Sequence, residues 1–331
     1  MRIRTKQILP LFLLCVALFA LSLCVSAATK IGVCGDNVTW TLDTDTGVLT
    51  ISGTGDMMRN PWISDSSKIR TVVIEDGVMY IAGYAFAGCY NLEHITIPDS
   101  VEGIGEHAFG HCISLKSITI PDRVSCILNN AFFDCRSLTS ITIPNGVTSI
   151  EENTFAACSS LASINIPEGV TSIGQQAFAD CSSLVNINIP GSVTNIGWGA
   201  FYDCYKLNAV YITDLTAWCR ISFIDNPLTY AQNLYLNGEL VTDLVIPDGV
   251  AGIGRIAFKG CCSLKNVTIP SGVTSIGERA FSDCPALLWV VRDSYAHTYV
   301  KQEKLPFKTT DGAESRVLYS GSCGDALSWQ L

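Results

Sequence analysis

Between His94 and Pro190 the chain passes through five short bursts in which apolar and polar residues alternate until a proline closes each one: Ile95-Thr96-Ile97-Pro98, Ile118-Thr119-Ile120-Pro121, Ile141-Thr142-Ile143-Pro144, Ile164-Asn165-Ile166-Pro167 and Ile187-Asn188-Ile189-Pro190. A period of two points both isoleucines to one side, so each burst predicts a short strand with an apolar inner face and a polar outer face. Proline has no amide donor and ends the ladder there. After Pro190, Val193 and Ile196 return inward from an opposite wall, and Gly197 permits the tight turn that follows.

The bursts belong to a longer repeat. Phenylalanine recurs at Phe86, Phe109, Phe132, Phe155, Phe178 and Phe201, always 23 residues apart, and again at Phe258 and Phe281. A cysteine stands three residues after each, at Cys89, Cys112, Cys135, Cys158, Cys181, Cys204, Cys261 and Cys284, and a leucine three residues later still. The unit reads A-F-x-x-C-x-x-L-x-x-I-x-I-P-x-x-V-x-x-I-G. A degenerate unit precedes these, with Ile63 in the phenylalanine phase, Ser66 in the cysteine phase and Ile69, Val72, Ile74, Val78 and Ile81 in the others. Such a period predicts a β-rich leucine-rich-repeat solenoid, each unit one coil that buries its apolar face only against its neighbours, with parallel strands stacked along one face.

An open solenoid needs its ends covered. Residues 28–61 predict an N-terminal β-hairpin cap, with Thr39–Leu42 and Val48–Ile51 as its strands; residues 292–311 predict a capping helix started by Asp293 or Ser294. The repeats fill 62–212 and 244–291. Between them, Phe201 and Phe258 are 57 residues apart, two periods and 11 more. Residues 213–243 therefore predict an irregular coil, Thr213 to Tyr230, and a hairpin turning at Asn237-Gly238 that protrudes from the stack. Residues 321–331 repeat residues 32–42 at an offset of 289. The expectation is a tail, 312–331, that holds half of a second hairpin cap from a longer protein, without a partner strand and poorly ordered.

Composition narrows the class. Apolar residues make up 48% and charged ones 15%, which in 331 residues means a large core. Arg2, Arg4 and Lys6 precede an apolar run from Ile8 to Val25, and Val25-Ser26-Ala27 has the small residues of a cleavage site, so residues 1–27 predict a signal peptide. Cys24 does not make a lipoprotein site, because Leu23 stands where a small residue is needed. Losing the three leader cations moves the net charge from −9 to −12, which argues against nucleic acid as a partner. No later stretch is long and apolar enough to predict a transmembrane span in the mature chain.

No nucleophile elbow, H-E-x-x-H, Walker loop or G-x-G-x-x-G is present. His107, His111 and Cys112 look like metal ligands, yet the histidines fill variable positions and the cysteine belongs to the inward column, so no metal site is predicted. Asp134, Asp180, Asp203 and Asp283 directly precede column cysteines and read as turn residues. The column cysteines are expected as buried free thiols acting as small hydrophobes, since one repeated rotamer stacks sulfurs side by side and not in the crossed torsion of a disulfide. Cys34, Cys126, Cys219, Cys262 and Cys323 have no assignable partner.

Binding must then use variable positions. Thr96, Thr119, Thr142, Asn165 and Asn188 form a polar, uncharged outward column suited to hydrogen bonding with a peptide or glycan; a plain solvated sheet would look the same. The change from threonine to asparagine midway argues against an ice-binding ladder. Trp198, Tyr202, Tyr205, Tyr211, Trp218 and Tyr230 gather beside the interruption. They read either as interface anchors or as packing for the odd coil.

The template, with Ile-Pro after the strand and Ala-Phe-x-x-Cys before the next, resembles the BspA-like or treponemal type of bacterial leucine-rich repeat over Trp62 to Val291. Leu128, Glu151 and Ala82 depart from it by replacing the turn glycine. The resemblance implies a secreted or cell-surface protein for adhesion, host or bacterial surface proteins as partners, and neither enzymatic activity nor a cofactor. A glycan-binding accessory module of a longer secreted protein is the alternative.

Overall fold

The computed structural model describes residues 28–316, 320–323 and 327–330, so the expected signal peptide at 1–27, with Cys24, lies outside the described residues. Within them the 23-residue units wind into coils with two strand walls and one corner of turns. Strands of the Ile-x-Ile wall pair in parallel with their neighbours, Ile118 opposite Ile141 and Ile187 opposite Val210, and Thr142 meets Asn165 in a single parallel bridge. The Val-x-x-Ile segments also form parallel ladders, Ile150 with Ile173 and Ile173 with Ile196, so the solenoid has a second strand wall.

The corner explains the phenylalanines and the residues beside them. Six of the eight column Phe N–H groups donate to the next coil, Phe109 to Ala131 O at 2.8 Å and Phe155 to Ala177 O at 2.9 Å among them. Fixed by that ladder, the rings stack at centroid separations of 5.2 Å (Phe109–Phe132) to 5.6 Å (Phe155–Phe178), fully buried. Each turn needs two left-handed residues: Asn130 and Asp134 at φ 59°, Gln176 at 51° and Asp180 at 59°. Asn and Asp tolerate that conformation best after glycine, which accounts for the aspartates ahead of the cysteines. The cysteines point inward and are free thiols; Cys181 Sγ donates to Phe155 O at 3.2 Å, and Cys112, Cys135, Cys158 and Cys204 repeat that bond one coil apart.

At the N-terminus, β1 (Thr29–Val33), β2 (Val38–Asp43) and β3 (Val48–Gly53) make an antiparallel meander, one strand more than a hairpin. It continues the strand wall edge to edge: Leu49 and Ile51 in β3 lie opposite Val72 and Ile74 in parallel register. The first corner differs from expectation as well. Ile63 is exposed and Trp62 fills the phenylalanine place, its ring stacked 5.9 Å from Phe86. A 3-10 turn from Ile63 to Lys68 replaces the usual corner and shifts the phase by one residue. Trp62 Nε1 donates to Ala85 O at 2.8 Å and Asn60 Nδ2 to Tyr84 O at 2.7 Å. At Ala85 O a side chain thus supplies the donor that a preceding coil's backbone offers elsewhere, as Phe86 N–H does to Ala108 O.

The irregular coil of the interruption holds two short helices, and its hairpin protrudes only in part. After β4 (Ala209–Ile212), α1 (Leu215–Arg220) is capped by Asp214, whose Oδ1 accepts the Ala217 N–H at 3.0 Å. Ser222–Phe223 then pairs with Asn195–Ile196 in the second wall, and α2 (Leu228–Ala231) occupies the corner. The strand β5 (Leu234–Leu236) lies in the wall, parallel to β4, and only β6 (Glu239–Leu240) folds back from it through Asn237-Gly238, both at positive φ as a type I′ turn requires. The next wall strand, β7 (Asp243–Val245), pairs among the described residues with β8 (Asn266–Ile269) and not with β5 or β6, so both walls are interrupted here, as one is also between His94–Thr96 and Ser117–Ile118 and the other between Cys126–Ile127 and Ser149–Ile150. At the restart, Trp218 Nε1 donates to Ala257 O at 3.0 Å and Asn226 Nδ2 to Ile256 O at 2.7 Å, the same carbonyl positions that Trp62 and Asn60 serve.

Beyond β9 (Leu287–Val290), the helix α3 (Tyr295–Gln302) starts at Ser294, whose Oγ accepts the His297 N–H, and buries Ala296, Tyr299 and Val300. The following strand β10 (Phe307–Thr309) pairs in parallel with β9, an extra wall strand that the sequence pattern does not reveal. In the tail, β11 (Ser320–Cys323) and β12 (Leu327–Gln330) pair with each other, Gly321 opposite Trp329, in the register of Gly32 opposite Trp40. The expected unpaired half hairpin is therefore a paired one, equivalent to β1–β2. Cys262 is disulfide-bonded, which its sequence neighbours do not indicate. Among the described residues no helix is long and apolar enough to cross a membrane.

Candidate binding surfaces

Every large side chain in a coil either joins the buried ladders or is left outside by them. On the turn edge, the Trp198 carbonyl accepts the Gln176 N–H at 2.9 Å and the Tyr202 carbonyl accepts the Asp180 N–H at 2.8 Å. Gly197 admits this close approach, since a Cβ there would meet Gln175 N at 2.7 Å. With the backbone pinned and Phe201 directed inward, Trp198, Tyr202 and Tyr205 stand outward, 56%, 50% and 75% exposed. A hydrogen bond to Asp203 raises the pKa of the Tyr205 phenol. Tyr230 is half-buried against the core, and burial, with Asp225 and Asp203 nearby, pushes its phenol up to about 12.

The six aromatics named from sequence do not form one patch. Trp218 is buried: its ring lies 4.9 Å from Phe223 and its N–H is used internally, so it is a packing residue and leaves the candidate surface. Tyr211 sits on the strand wall, in β4, and stacks on Tyr235 of β5 at 4.7 Å. Along that wall Thr96, Thr119, Thr142 and Asn165 are exposed, while Asn188, beside Tyr211, is half-buried. The polar column thus passes into an aromatic pair just before the wall stops.

Sequence reasoning along the chain misses residues that meet only across coils. Tyr235 is one. A second aromatic row occupies the turn edge of the early coils, with Tyr84 stacked on His107 at 4.8 Å, and His107 and His111 each edge-on to Phe133. Tyr84 and His107, like His111 and Asp134, are one period apart, and that spacing is the signal that places them together.

His111 Nδ1 lies 2.9 Å from Asp134 Oδ2, and Arg136 Nε donates to Asp134 Oδ1 at 2.6 Å. Burial opposes ionisation of Asp134, but these hydrogen bonds from Arg136 and His111 outweigh it and lower its pKa. Cys112 faces the core, and among the described residues no group of three or more His, Cys, Asp or Glu could hold a metal ion. The cysteine column does not supply a nucleophile. Burial raises Cys112, Cys135 and Cys181 well above the ordinary thiol range and Cys158 up to about 12, so the reactive thiolate is suppressed.

The sequence matches the BspA type leucine-rich repeat region in six copies, over residues 63–169 and 228–291. A comparison with curated proteins finds no match. Among solved structures, a leucine-rich cell surface protein from Faecalibacterium prausnitzii is 28% identical, covers 78% of this chain and 76% of its own, and has a TM-score of 0.47. A leucine-rich repeat protein from Eubacterium ventriosum is 24% identical over 86% of this chain and 68% of its own, at a TM-score of 0.43. The T. pallidum leucine-rich repeat protein is 25% identical over 83% and 96%, at 0.33.

Proposed function

Because the chain belongs to the BspA-type leucine-rich-repeat family, we propose that it is an exported, non-catalytic binding protein whose turn edge holds other proteins at a cell surface. Leucine-rich-repeat solenoids are typically non-catalytic and act as repeat-based binding modules. The leader pattern of Arg2, Arg4 and Lys6 before Ile8–Val25 supports export. One observation carries the choice of surface: Trp198, Tyr202 and Tyr205 stand exposed on one corner, where coil-to-coil hydrogen bonds hold the Trp198 and Tyr202 carbonyls. Rigid, exposed aromatics lose little conformational freedom on binding and are preferred interface anchors. The partner class is a host or bacterial surface protein.

A glycan reading has its own support. The Tyr211–Tyr235 stack adjoins Asn188 and the threonine column, a combination of aromatic platform and hydrogen-bonding side chains. Both readings meet in one experiment on the chain from Ala28: capture from detergent extracts of host and bacterial surfaces in parallel with a glycan array. Replacing Trp198 and Tyr202 together with alanine is expected to weaken protein capture at least about tenfold, as for interface anchors, with an unchanged melting temperature. Loss of the fold would make these rings packing residues, and glycan binding that survives this pair but is lost in Tyr211→Ala would select the second reading.

A further inference from the structure

The strand wall offers a second surface, at the place where it stops. Residues of β6 and β7, the terminal strands of two separate sheets, line one cleft of about 250 Å³ together with Leu215 and Leu236. Leu240 faces Tyr235 in the hairpin, while Val241 N–H bonds to Leu234 O on the next pair. In an antiparallel ladder the residue between hydrogen-bonded pairs points its own N–H and C=O away from its partner. Leu240 therefore turns its main chain out of the hairpin.

On β7, Thr242 O accepts from Asn266 and Ile246 N–H donates to Thr268 O, so alternate residues serve β8. Asp243 and Val245, between them, direct their N–H and C=O to the open side, and neither N–H has a hydrogen-bond partner among the described residues. Beside this edge Leu240 is 45% and Val245 66% exposed, with the Glu239 and Asp243 carboxylates flanking them. A hydrogen bond from Asn266, then one from Thr242, keeps Asp243 ionised.

We propose that this cleft binds an extended peptide by strand addition along β7, with an apolar side chain against Leu240 and Val245 and lysine or arginine facing Glu239 and Asp243. An unpaired sheet edge recognises the alternating amides of a peptide backbone. A second copy paired through the same edge would bring Glu239 and Asp243 of both chains together, and like charges opposite each other are destabilising. This surface is separate from the turn edge, so either proposal can fail alone.

The test is fluorescence anisotropy of the labelled pentapeptide Lys-Val-Thr-Val-Lys with the full exported chain. N-methylation of its alternate amides is expected to weaken binding at least about tenfold, because main-chain bonds supply the affinity in strand addition. Val245→Pro removes an N–H that faces only the cleft, a place where edge strands accept proline, and is expected to weaken binding about tenfold. Glu239→Lys is expected to weaken it about threefold and flatten its salt dependence, whereas Trp198→Ala leaves it unchanged. Should Val245→Pro fail to fold, the N-methylated peptide carries the same test. Equal binding of the methylated and unmodified peptides, tighter binding of Glu-Val-Thr-Val-Glu, or dimerisation that excludes the peptide would each overturn the proposal.

Discussion

A cysteine in the sequence invites a reactive role, and its position in the coil removes it. Each column sulfur packs under the phenylalanine corner, and five of the eight donate to the carbonyl of the phenylalanine one coil earlier. Burial is the first cause of every raised thiol in the column; Cys89, Cys158 and Cys204 are pushed up to about 12. The unfolded chain releases these protons near pH 8.5 to 9 and the folded chain retains them. Stability is therefore complete below pH 8 and falls as pH rises from the unfolded thiol pKa toward the folded one, each thiol shifting the folding equilibrium about tenfold per pH unit. Calorimetry under reducing conditions is expected to show a flat melting temperature to pH 8 and a steep loss above 9. In Cys158→Ala the slope should drop by one proton; an unaltered slope would place that thiol in solvent.

At the scale of elements, the corner needs a donor wherever a ladder of coils begins. Trp62 with Asn60 and Trp218 with Asn226 provide it by different routes, the first from the end of the N-terminal meander and the second from a helix and a loop inside the array. Asn226 is buried, its Nδ2 also donates to Ala257 O at 2.8 Å and its Oδ1 accepts the Leu228 N–H at 2.8 Å, so removing its side chain strands that buried amide. Asn226→Ala and Trp218→Phe are each expected to cost about 1–3 kcal/mol in urea unfolding, while exposed Trp198→Phe stays within about 0.5 kcal/mol. Equal effects for Trp218→Phe and Trp198→Phe would refute the donor role.

What the sequence discloses follows the same division. The template is legible because eight copies put one residue type in one environment, and Asn237-Gly238 is legible because a two-residue turn demands positive φ twice. Trp218 and Asn226 are not, since each acts once, through a contact 39 or 31 residues away to Ala257. The strand β1 is missed because only its partner in β2 defines it, and its own Ile31 and Val33 are exposed. Trp198, Tyr202 and Tyr205 stand out against small or polar residues in the same template places, whereas Tyr235 becomes a neighbour of Tyr211 only once the inserted hairpin joins the wall.

For the molecule as a whole, the break in both walls divides one rod into two arrays joined by few ladder bonds. Across the junction run Gly254 N–H to Cys219 O, Ser263 N–H to Gln232 O and the Trp218 and Asn226 side-chain bonds, in place of the corner ladder of backbone bonds found between regular coils. In a repeat array each unit is stabilised by its nearest neighbours, so a weak junction limits how far damage spreads. Phe155→Ala opens a cavity in the middle of the first ring ladder and is expected to cost about 3–5 kcal/mol there. Hydrogen exchange reads both arrays in one sample: the Phe132 amide, bonded to Thr154 O, and the Phe178 amide, bonded to Ala200 O, should lose protection strongly. The Phe258 amide, bonded to Ala280 O beyond the junction, should keep its protection within about threefold, as sub-global opening predicts. An equal loss at Phe258 would show that the few junction bonds couple the two arrays into one cooperative unit, and that the interruption does not divide the fold.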